Sequence, residues 1–486
     1  MLDQQSIRVR FAPSPTGELH LGGARTALFS YLFTKQTNGT YILRIEDTDQ
    51  TRYVSGSMER FFADLEWLGI TFNESSQVGG EFGPYIQSER TELYQQATQK
   101  LLSEGHAYKC YCTVERLSEM RAAQAAAKQP TRYDRHCLSD QRIANSDQDM
   151  PYVVRMKVPE GETTFTDLVR GEITVNNKEI DDQVLLKSDG FPTYHLAVVV
   201  DDHHMQVSHV FRAEEWLPST PKHLILYHMF GWTPPLHAHF PMILNKERRK
   251  LSKRKDGETV WIANYRRKGY LPAAMVNYLA LLGWNPGDER EFFTIDELVK
   301  EFTLDRVHRA GAIFDLEKLN FINAHYLRQL TNDEIVEQLR TGNFLSPELS
   351  QQDNRQLARW VQITRERMQI LAEFEPLVWP IISQSDYPAS RLIFKKSDQE
   401  KTLRALKLVK KVIVTSPESG WDNQDDLQVQ LSHVVADGDF TNGDVFWSTR
   451  VALSGLEASP SPAELLWVLG KVEGLTRVER AIVKLS

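Results

Sequence analysis

The chain has 486 residues, a formal net charge of −8 and 41% hydrophobic residues, more than one ordinary core holds, so two to four domains are expected. Its three cysteines all fall between Cys110 and Cys137, which excludes a disulfide framework and suits a reducing compartment. Residues 1–10 carry no signal-peptide core and no apolar run is long enough to span a bilayer, so a cytoplasmic protein without membrane segments is expected, and any surface for a polyanion must be a local basic patch.

The chain opens with Ile7, Val9 and Phe11 alternating with Arg8 and Arg10, a strand pattern. A helix follows from Ala24, with Ala27, Leu28, Tyr31 and Leu32 on one face. Residues 41–45 read as the next strand, running into Glu46, Asp47 and Asp49, and residues 57–68 read as a helix stopped at Gly69. Strand, helix, strand implies a parallel α/β sheet. Residues 107–187 turn polar, Gln- and Ala-rich, then give short strand-like pieces such as 152–158, and read as an insertion. Residues 195–200 form an apolar run suited to a strand buried on both faces, and 207–211 suit another, ending at Arg212. Between Ser219 and Gly231 a helix is expected, with Ser219 or Thr220 as N-cap, Pro221 as the first helical residue and Gly231 as its stop. Beyond about Thr331 the periodicity is helical.

The loop after the first strand reads Pro13-Ser14-Pro15-Thr16-Gly17-Glu18-Leu19-His20-Leu21-Gly22-Gly23. Beyond the carboxyl end of a parallel strand, at a helix N-terminus, unpaired N–H groups face any phosphate. Gly22 and Gly23 lack β-carbons there, and His20 can donate to a phosphate oxygen. A second segment, Lys250-Leu251-Ser252-Lys253-Arg254, lies in a basic stretch. Phosphoryl and adenylyl transfer ask the protein for positioning and for cations that stabilise charge spreading over phosphates, which two lysines on a loop supply.

Together the two segments resemble the signature pair of class I aminoacyl-tRNA synthetases, and finer matches are similar to the bacterial glutamyl-tRNA synthetase family. These are Arg10-Phe11-Ala12-Pro13-Ser14-Pro15-Thr16-Gly17, Arg44-Ile45-Glu46-Asp47-Thr48-Asp49, Tyr85-Ile86-Gln87-Ser88-Glu89-Arg90, Pro192-Thr193-Tyr194-His195-Leu196-Ala197, Arg212-Ala213-Glu214-Glu215-Trp216 and Phe314-Asp315-Leu316-Glu317-Lys318-Leu319. The resemblance spans the first two thirds of the chain in order. It implies a Rossmann-like parallel-sheet catalytic domain in two halves, 1–106 and 188–244, split by an inserted α+β acceptor-binding domain at 107–187. A stem-contact region at 245–330 carrying the lysine loop and an all-α anticodon-binding region of one or two subdomains at 331–486 would follow.

The resemblance also assigns roles. His20, Lys250 and Lys253 would be catalytic; His20, Gly22, Gly23, Glu215, Trp216 and Lys253 would bind ATP, which enters as a substrate with Mg2+. Arg10, Ser14, Glu46, Tyr194 and Arg212 would hold L-glutamate, the two arginines gripping carboxylates bidentately and Glu46 the ammonium. Asp49 and Arg52 would seat the terminal adenosine of tRNA(Glu), and Arg359, Arg365 and Arg367 are candidates for reading the anticodon. The glutamate α-carboxylate would attack the ATP α-phosphorus, and a terminal ribose hydroxyl would then take the glutamyl group, with bound tRNA required for activation and the enzyme a monomer.

Departures and rivals are specific. The signature positions Leu21, Gly23, Leu251 and Arg254 are conservative variants in role. Cys110, Cys112 and Cys137 suggest a structural zinc, as some bacterial members of the family carry, but the position two residues after the third cysteine is Ser139; His136 could substitute, and the residues are read as free thiols rather than zinc ligands. Asp201-Asp202-His203-His204 is read as a strand end rather than a metal site, and His237 and His239 as loop histidines. A glutaminyl-tRNA synthetase is disfavoured by Arg212, by the strand end at Arg10 and by the helical last third. A non-catalytic tRNA-binding descendant is disfavoured by the intact His20 and Lys253.

Overall fold

A computed structural model describes residues 6–52, 54–139, 150–252, 256–421 and 423–486. The chain divides into two compact units, one of residues 1–265 with 272–316 and one of 266–271 with 317–486.

The first unit is built on a six-stranded sheet. Its strands are β1 (Arg8–Phe11), β2 (Thr40–Leu43), β5 (Glu162–Asp167), β6 (Gly171–Asn176), β8 (His209–Ala213) and β9 (Leu236–Phe240), in the order β2-β1-β8-β9-β5-β6. All neighbours pair in parallel except the β5–β6 hairpin. The Leu21–Gln36 helix crosses over between β1 and β2, as strand, helix, strand requires. Its predicted face (Ala27, Leu28, Tyr31, Leu32) is buried, and so are Phe29 and Ser30 on the other side. β3 (Ala107–Cys110), β4 (Val153–Met156) and β7 (Val184–Leu186) form a separate three-stranded antiparallel sheet. β5 and β6 lie inside the 107–187 stretch yet extend the main sheet, because β5 pairs with β9 at Asp167 and His237.

Local signals placed two helices well. Ser57–Trp67 stops at Gly69, whose φ is +70°, and Thr220–Phe230 has Ser219 as N-cap, Pro221 in its first turn and Gly231 at φ +72° as its stop. The 195–200 run corrects the strand expectation: Tyr194–His204 is a helix. Six consecutive apolar residues do not distinguish a buried strand from a buried helix, and here Leu196 to Val200 are all buried in the core, packed near Tyr94, Leu185 and Leu226. Packing and the ion pairs of Asp201 and Asp202 override the strand preference of three successive valines. The outcome turns those two carboxylates inward and stacks His203 on Trp232, centroids 3.8 Å apart.

The second unit is helical. The Pro462–Leu485 helix, kinked at Gly470, packs with Gln399–Thr415, Gln424–Asp437 and Ser448–Ser454. Its start carries a capping box, Ser461 with Glu464. Among the described residues no helix is long and apolar enough to cross a membrane.

Candidate active site

The carboxyl ends of β1, β2, β8 and β9 open into a cavity of about 380 Å³, where ligands of an open parallel sheet are expected. Arg10, Ser14, His20, Gly22, Gly23, Glu46, Tyr194, Arg212, Glu215, Trp216 and Lys250 all line it, so residues 240 positions apart in sequence meet at one place. A second cavity of about 330 Å³ shares Ser14, Glu46, Tyr194 and Trp216 with the first and adds Asp49, Arg52 and Lys187.

His20 is the N-cap of the Leu21–Gln36 helix, and its Nδ1 accepts the Gly22 N–H at 3.0 Å. An accepting Nδ1 carries no proton, so the neutral ring holds its proton on Nε2. The ring packs edge-on against Trp261, centroids 5.9 Å apart. A β-carbon at Gly23 would make only ordinary contacts with Leu19 and Phe11, so packing within the protein does not demand glycine there. Lys250 forms an ion pair with Glu215 across the cavity mouth. Leu251 also lines the cavity, while Lys253 lies outside the described residues. The Ser252 N–H donates to Asp256 Oδ2 at 2.7 Å and the Asp256 N–H returns to the Ser252 carbonyl at 2.9 Å, so the base of that loop is tied.

Arg10, Glu46 and Arg212, three of the charged groups lining the cavity, are supported differently. Arg10 Nε donates to Asp202 Oδ1 at 3.0 Å, and the fully buried Arg44 donates to Asp202 at 2.7 Å and to Glu46 at 3.0 Å. Burial alone would lower the Arg44 pKa, but Asp202, Asp201 and Glu46 outweigh it and the net shift is upward. Burial raises Glu46 above the usual carboxylate range despite Arg44 and Arg10, leaving a carboxylate short of positive charge. Asp202 goes the other way: burial would raise it, and Arg10 and Arg44 pull it below its ordinary value.

Arg212 rests on neutral groups. Its Nε donates to His239 Nε2 at 2.9 Å, Nη2 to Thr220 Oγ1 at 2.8 Å and Nη1 to Tyr194 Oη at 3.2 Å, with His223 Nδ1 3.4 Å away. Burial lowers His223 and His239, and it takes His195 and His237 down to about 3. This corrects the loop expectation for His237 and His239: both sit on β9, buried and ring-stacked 6.2 Å apart. Sequence reading missed Asp167, Asp202, Thr220, His223 and His239 as supports, and Lys187, whose Nζ donates to the Thr48 carbonyl at 3.3 Å beside the second cavity. Only the inward alternation His237-Ala238-His239-Phe240 offered a signal.

The metal candidates gather. The sulfurs of Cys110, Cys112 and Cys137 lie within 4.8 Å of one another. Tyr133 Oη stands 3.3 Å from the Cys110 and Cys112 sulfurs and accepts the Cys137 N–H at 3.0 Å. His136 is not in the cluster. Three thiolates and one oxygen suit a four-coordinate zinc.

In the second unit, Arg365 donates to the Leu330 carbonyl at 2.9 Å and to Asn332 Oδ1 at 3.1 Å, bridging the ends of two helices. Arg359 lies over the Trp467 ring, 5.0 Å from its centroid, and Arg367 is exposed.

Comparison with known proteins bears directly on this arrangement. Residues 6–321 match the family model of class I tRNA synthetases (E and Q), catalytic domain, and residues 329–482 match an anticodon binding domain. The chain is 44% identical to the glutamate–tRNA ligase of Dehalococcoides mccartyi (strain CBDB1), covering 99% of this chain and 98% of that one. It is 42% identical to the glutamate–tRNA ligase of Alkaliphilus metalliredigens (strain QYMF), covering 98% of each. Among solved structures, a glutamate tRNA ligase from Elizabethkingia meningosepticum in complex with its amino acid superposes with a TM-score of 0.90 at 34% identity, covering 99% of this chain and 100% of that one. The chain belongs to the glutamate–tRNA ligases, a family of class I aminoacyl-tRNA synthetases with a parallel-sheet catalytic domain and a helical anticodon-binding domain.

Proposed function

We propose that the cavity at the strand ends is where ATP activates glutamate, and that the adjoining cavity receives the terminal adenosine of tRNA(Glu). The chain is a glutamate–tRNA ligase, with glutamate, ATP and tRNA as its substrates. One observation supports the assignment above the others: apart from Lys250 and Glu215, which pair with each other, and Arg25, which donates to the backbone carbonyls of Pro241 and Leu282, the first cavity is lined by two guanidinium groups, Arg10 and Arg212, and one carboxylate, Glu46. This is the charge complement of a molecule with two carboxylates and one ammonium. Glu46, raised by burial although Arg44 pairs with it, is favoured as the anion when a substrate ammonium adds a second positive charge beside it.

Activation proceeds by attack of the glutamate α-carboxylate on the ATP α-phosphorus, forming glutamyl-adenylate and releasing pyrophosphate. His20, through Nε2–H, and the lysines 250 and 253 stabilise the charge that spreads over the phosphates, with Mg2+ as their companion. Glu215 and Trp216 bind the nucleoside, and opening of the Lys250–Glu215 pair frees Glu215 for it and Lys250 for the phosphates. Asp49, Arg52 and Lys187 then hold the tRNA end so that a ribose hydroxyl reaches the acyl carbon, beyond the wall formed by Tyr194 and Trp216. The finer division of roles, with residues 107–187 on the acceptor stem and Arg359, Arg365 and Arg367 near the anticodon, belongs to the same proposal. Arg367 is the most exposed of the three.

The test is incorporation of labelled glutamate into purified glutamate and glutamine tRNAs, separately, with ATP and magnesium. Charging of the first alone makes this a discriminating enzyme; charging of both calls for a partner that amidates the mischarged product; charging of neither rejects the reading.

We further propose that Cys110, Cys112, Cys137 and Tyr133 hold a structural zinc, a change from the free-thiol expectation supported by their convergence. The protein should be purified with about one zinc per chain, measured by inductively coupled plasma mass spectrometry. Cys112→Ser should leave well under half of that. A zinc-free parent with unimpaired charging would sink the idea.

A further inference from the structure

We infer that Asp167 and His239 form a positioning relay that fixes the Arg212 guanidinium and keeps its positive charge uncompensated for the carboxylate of the substrate's side chain. The inference rests on the reading of Arg212 as that carboxylate's partner.

The relay runs through three side chains from β5, β9 and β8. Asp167 Oδ1 accepts the backbone N–H groups of Val169 at 3.0 Å and Arg170 at 2.8 Å, and lies 3.3 Å from the His239 N–H. Asp167 Oδ2 accepts from His239 Nδ1 at 2.6 Å, and His239 Nε2 accepts from Arg212 Nε at 2.9 Å. The direction of each bond is forced. Arginine has no acceptor, so His239 Nε2 must present its lone pair. The ring proton therefore sits on Nδ1, where an ionised Asp167 receives it. Asp167 and His239 are both fully buried, so no water substitutes for either partner. Thr220 Oγ1, 3.3 Å from His239 Nε2, takes a proton of Nη2 along the same edge, which fixes the plane of the guanidinium while Nη2 retains a second N–H.

The arrangement contrasts with that of Arg10, which donates directly to the carboxylate of Asp202. Among the described residues no carboxylate contacts Arg212; the nearest one in the relay stands behind a neutral imidazole. A carboxylate in direct contact would satisfy the cation and make a neutral amide nearly as acceptable a substrate side chain as an anion. Placing the acid one ring away keeps the orientation and spares the charge. Discrimination between glutamate and glutamine is thus assigned to Arg212 held by this relay, with Arg10 contributing hydrogen bonds from an already paired charge.

Asp167→Asn is the sharpest test. One atom of the new amide must be NH2, and the backbone N–H groups of Val169 and Arg170 cannot reverse, so the NH2 falls to His239. The imidazole then takes the other tautomer and turns an Nε2–H toward Arg212 Nε–H, with the packing unchanged. In charging assays at saturating ATP and tRNA, the glutamate KM should rise about 10- to 100-fold, the size of a lost hydrogen bond to a charged group. The ATP KM should stay within about twofold, as for loss of uniform binding, and the preference for glutamate over glutamine should shrink. His239→Leu should behave alike, and His239→Gln, whose side-chain oxygen can reach the Nε2 position, should recover most of the glutamate KM. Parallel loss of ATP and glutamate binding in Asp167→Asn, or equal damage from His239→Leu and His239→Gln, would overturn the relay. Arg212→Leu separates the layers: if it raises the glutamate KM while Asp167→Asn does not, the relay alone fails, and if it changes nothing, the assignment of Arg212 fails with it.

Discussion

Turnover of the His20→Ala variant is expected to fall about 100- to 1,000-fold, the usual loss when one donor to developing charge is removed, with the glutamate KM little changed. The helix cap is what makes the donor. Because Nδ1 accepts the Gly22 N–H at 3.0 Å, the ring proton is held on Nε2, and its orientation is fixed by the first turn of the Leu21–Gln36 helix. His20→Asn separates the two roles. Asparagine is a good N-cap, so that variant should melt within a few degrees of the parent, yet its short amide does not reach where Nε2 does and turnover should stay low. Recovery of turnover in His20→Asn would reduce His20 to a capping residue. Lys253→Ala should lose a comparable factor, since Leu251 lines the same cavity and the loop base is tied through Ser252 and Asp256. As both groups act on one transition state, the double variant should lose much less than the product of the two factors.

The sequence revealed the parts of the fold that local chemistry dictates. Gly69 and Gly231 mark helix ends because their backbone is left-handed, at φ +70° and +72°, and Pro221 marks a helix start because its missing N–H costs nothing there. The cavity lining was legible because two short segments carry chemistry on their own and the remaining matches fall in order along the chain. What was hidden depends on pairings across long stretches. The Tyr194–His204 helix was taken for a strand since nothing within residues 195–200 says that Asp202 answers Arg10, 192 positions earlier. The link between His239 and Asp167 spans 72 positions, and the alternation of His237 and His239 along β9 shows two buried histidines without saying which partner either has. Tyr133 joins the cysteines by the same kind of convergence, across 23 residues from Cys110, where spacing rules looked only two residues beyond Cys137. The hairpin of β5 and β6 was absorbed into the insertion because parallel pairing with β9 leaves no trace in the strand itself.

Arg212→Leu should lower kcat/KM for glutamate about 100- to 1,000-fold, as truncating one partner of a buried charge pair does, while leaving the much smaller value for glutamine nearly unchanged. Leucine removes the cation and strands His239 Nε2, Thr220 Oγ1 and Tyr194 Oη without their donor. Those three groups are neutral, so no acid is left unpaired behind the substrate. The electrostatic penalty therefore falls on a bound anion, and the variant should lose only the pH-independent cost of the stranded neutral groups, about 1–3 kcal/mol. Arg10→Leu makes the comparison informative. It takes one cation from Asp202, a carboxylate that burial would raise and that Arg10 and Arg44 together hold below its ordinary pKa. Since a depressed carboxylate stabilises the fold above its unfolded pKa and loses that contribution as pH falls through the folded one, removal of Arg10 costs stability at neutral pH and less at acid pH. Thermal melting from about pH 7 down to about pH 2, which spans the unfolded carboxylate pKa and the lower folded one, should show the Arg10→Leu deficit narrowing below about pH 5 and no such trend for Arg212→Leu. Steady-state charging with each amino acid completes the comparison: if Arg212→Leu reduced glutamate and glutamine use by the same factor, the cation would be a support for the pocket rather than the group that selects an anionic side chain.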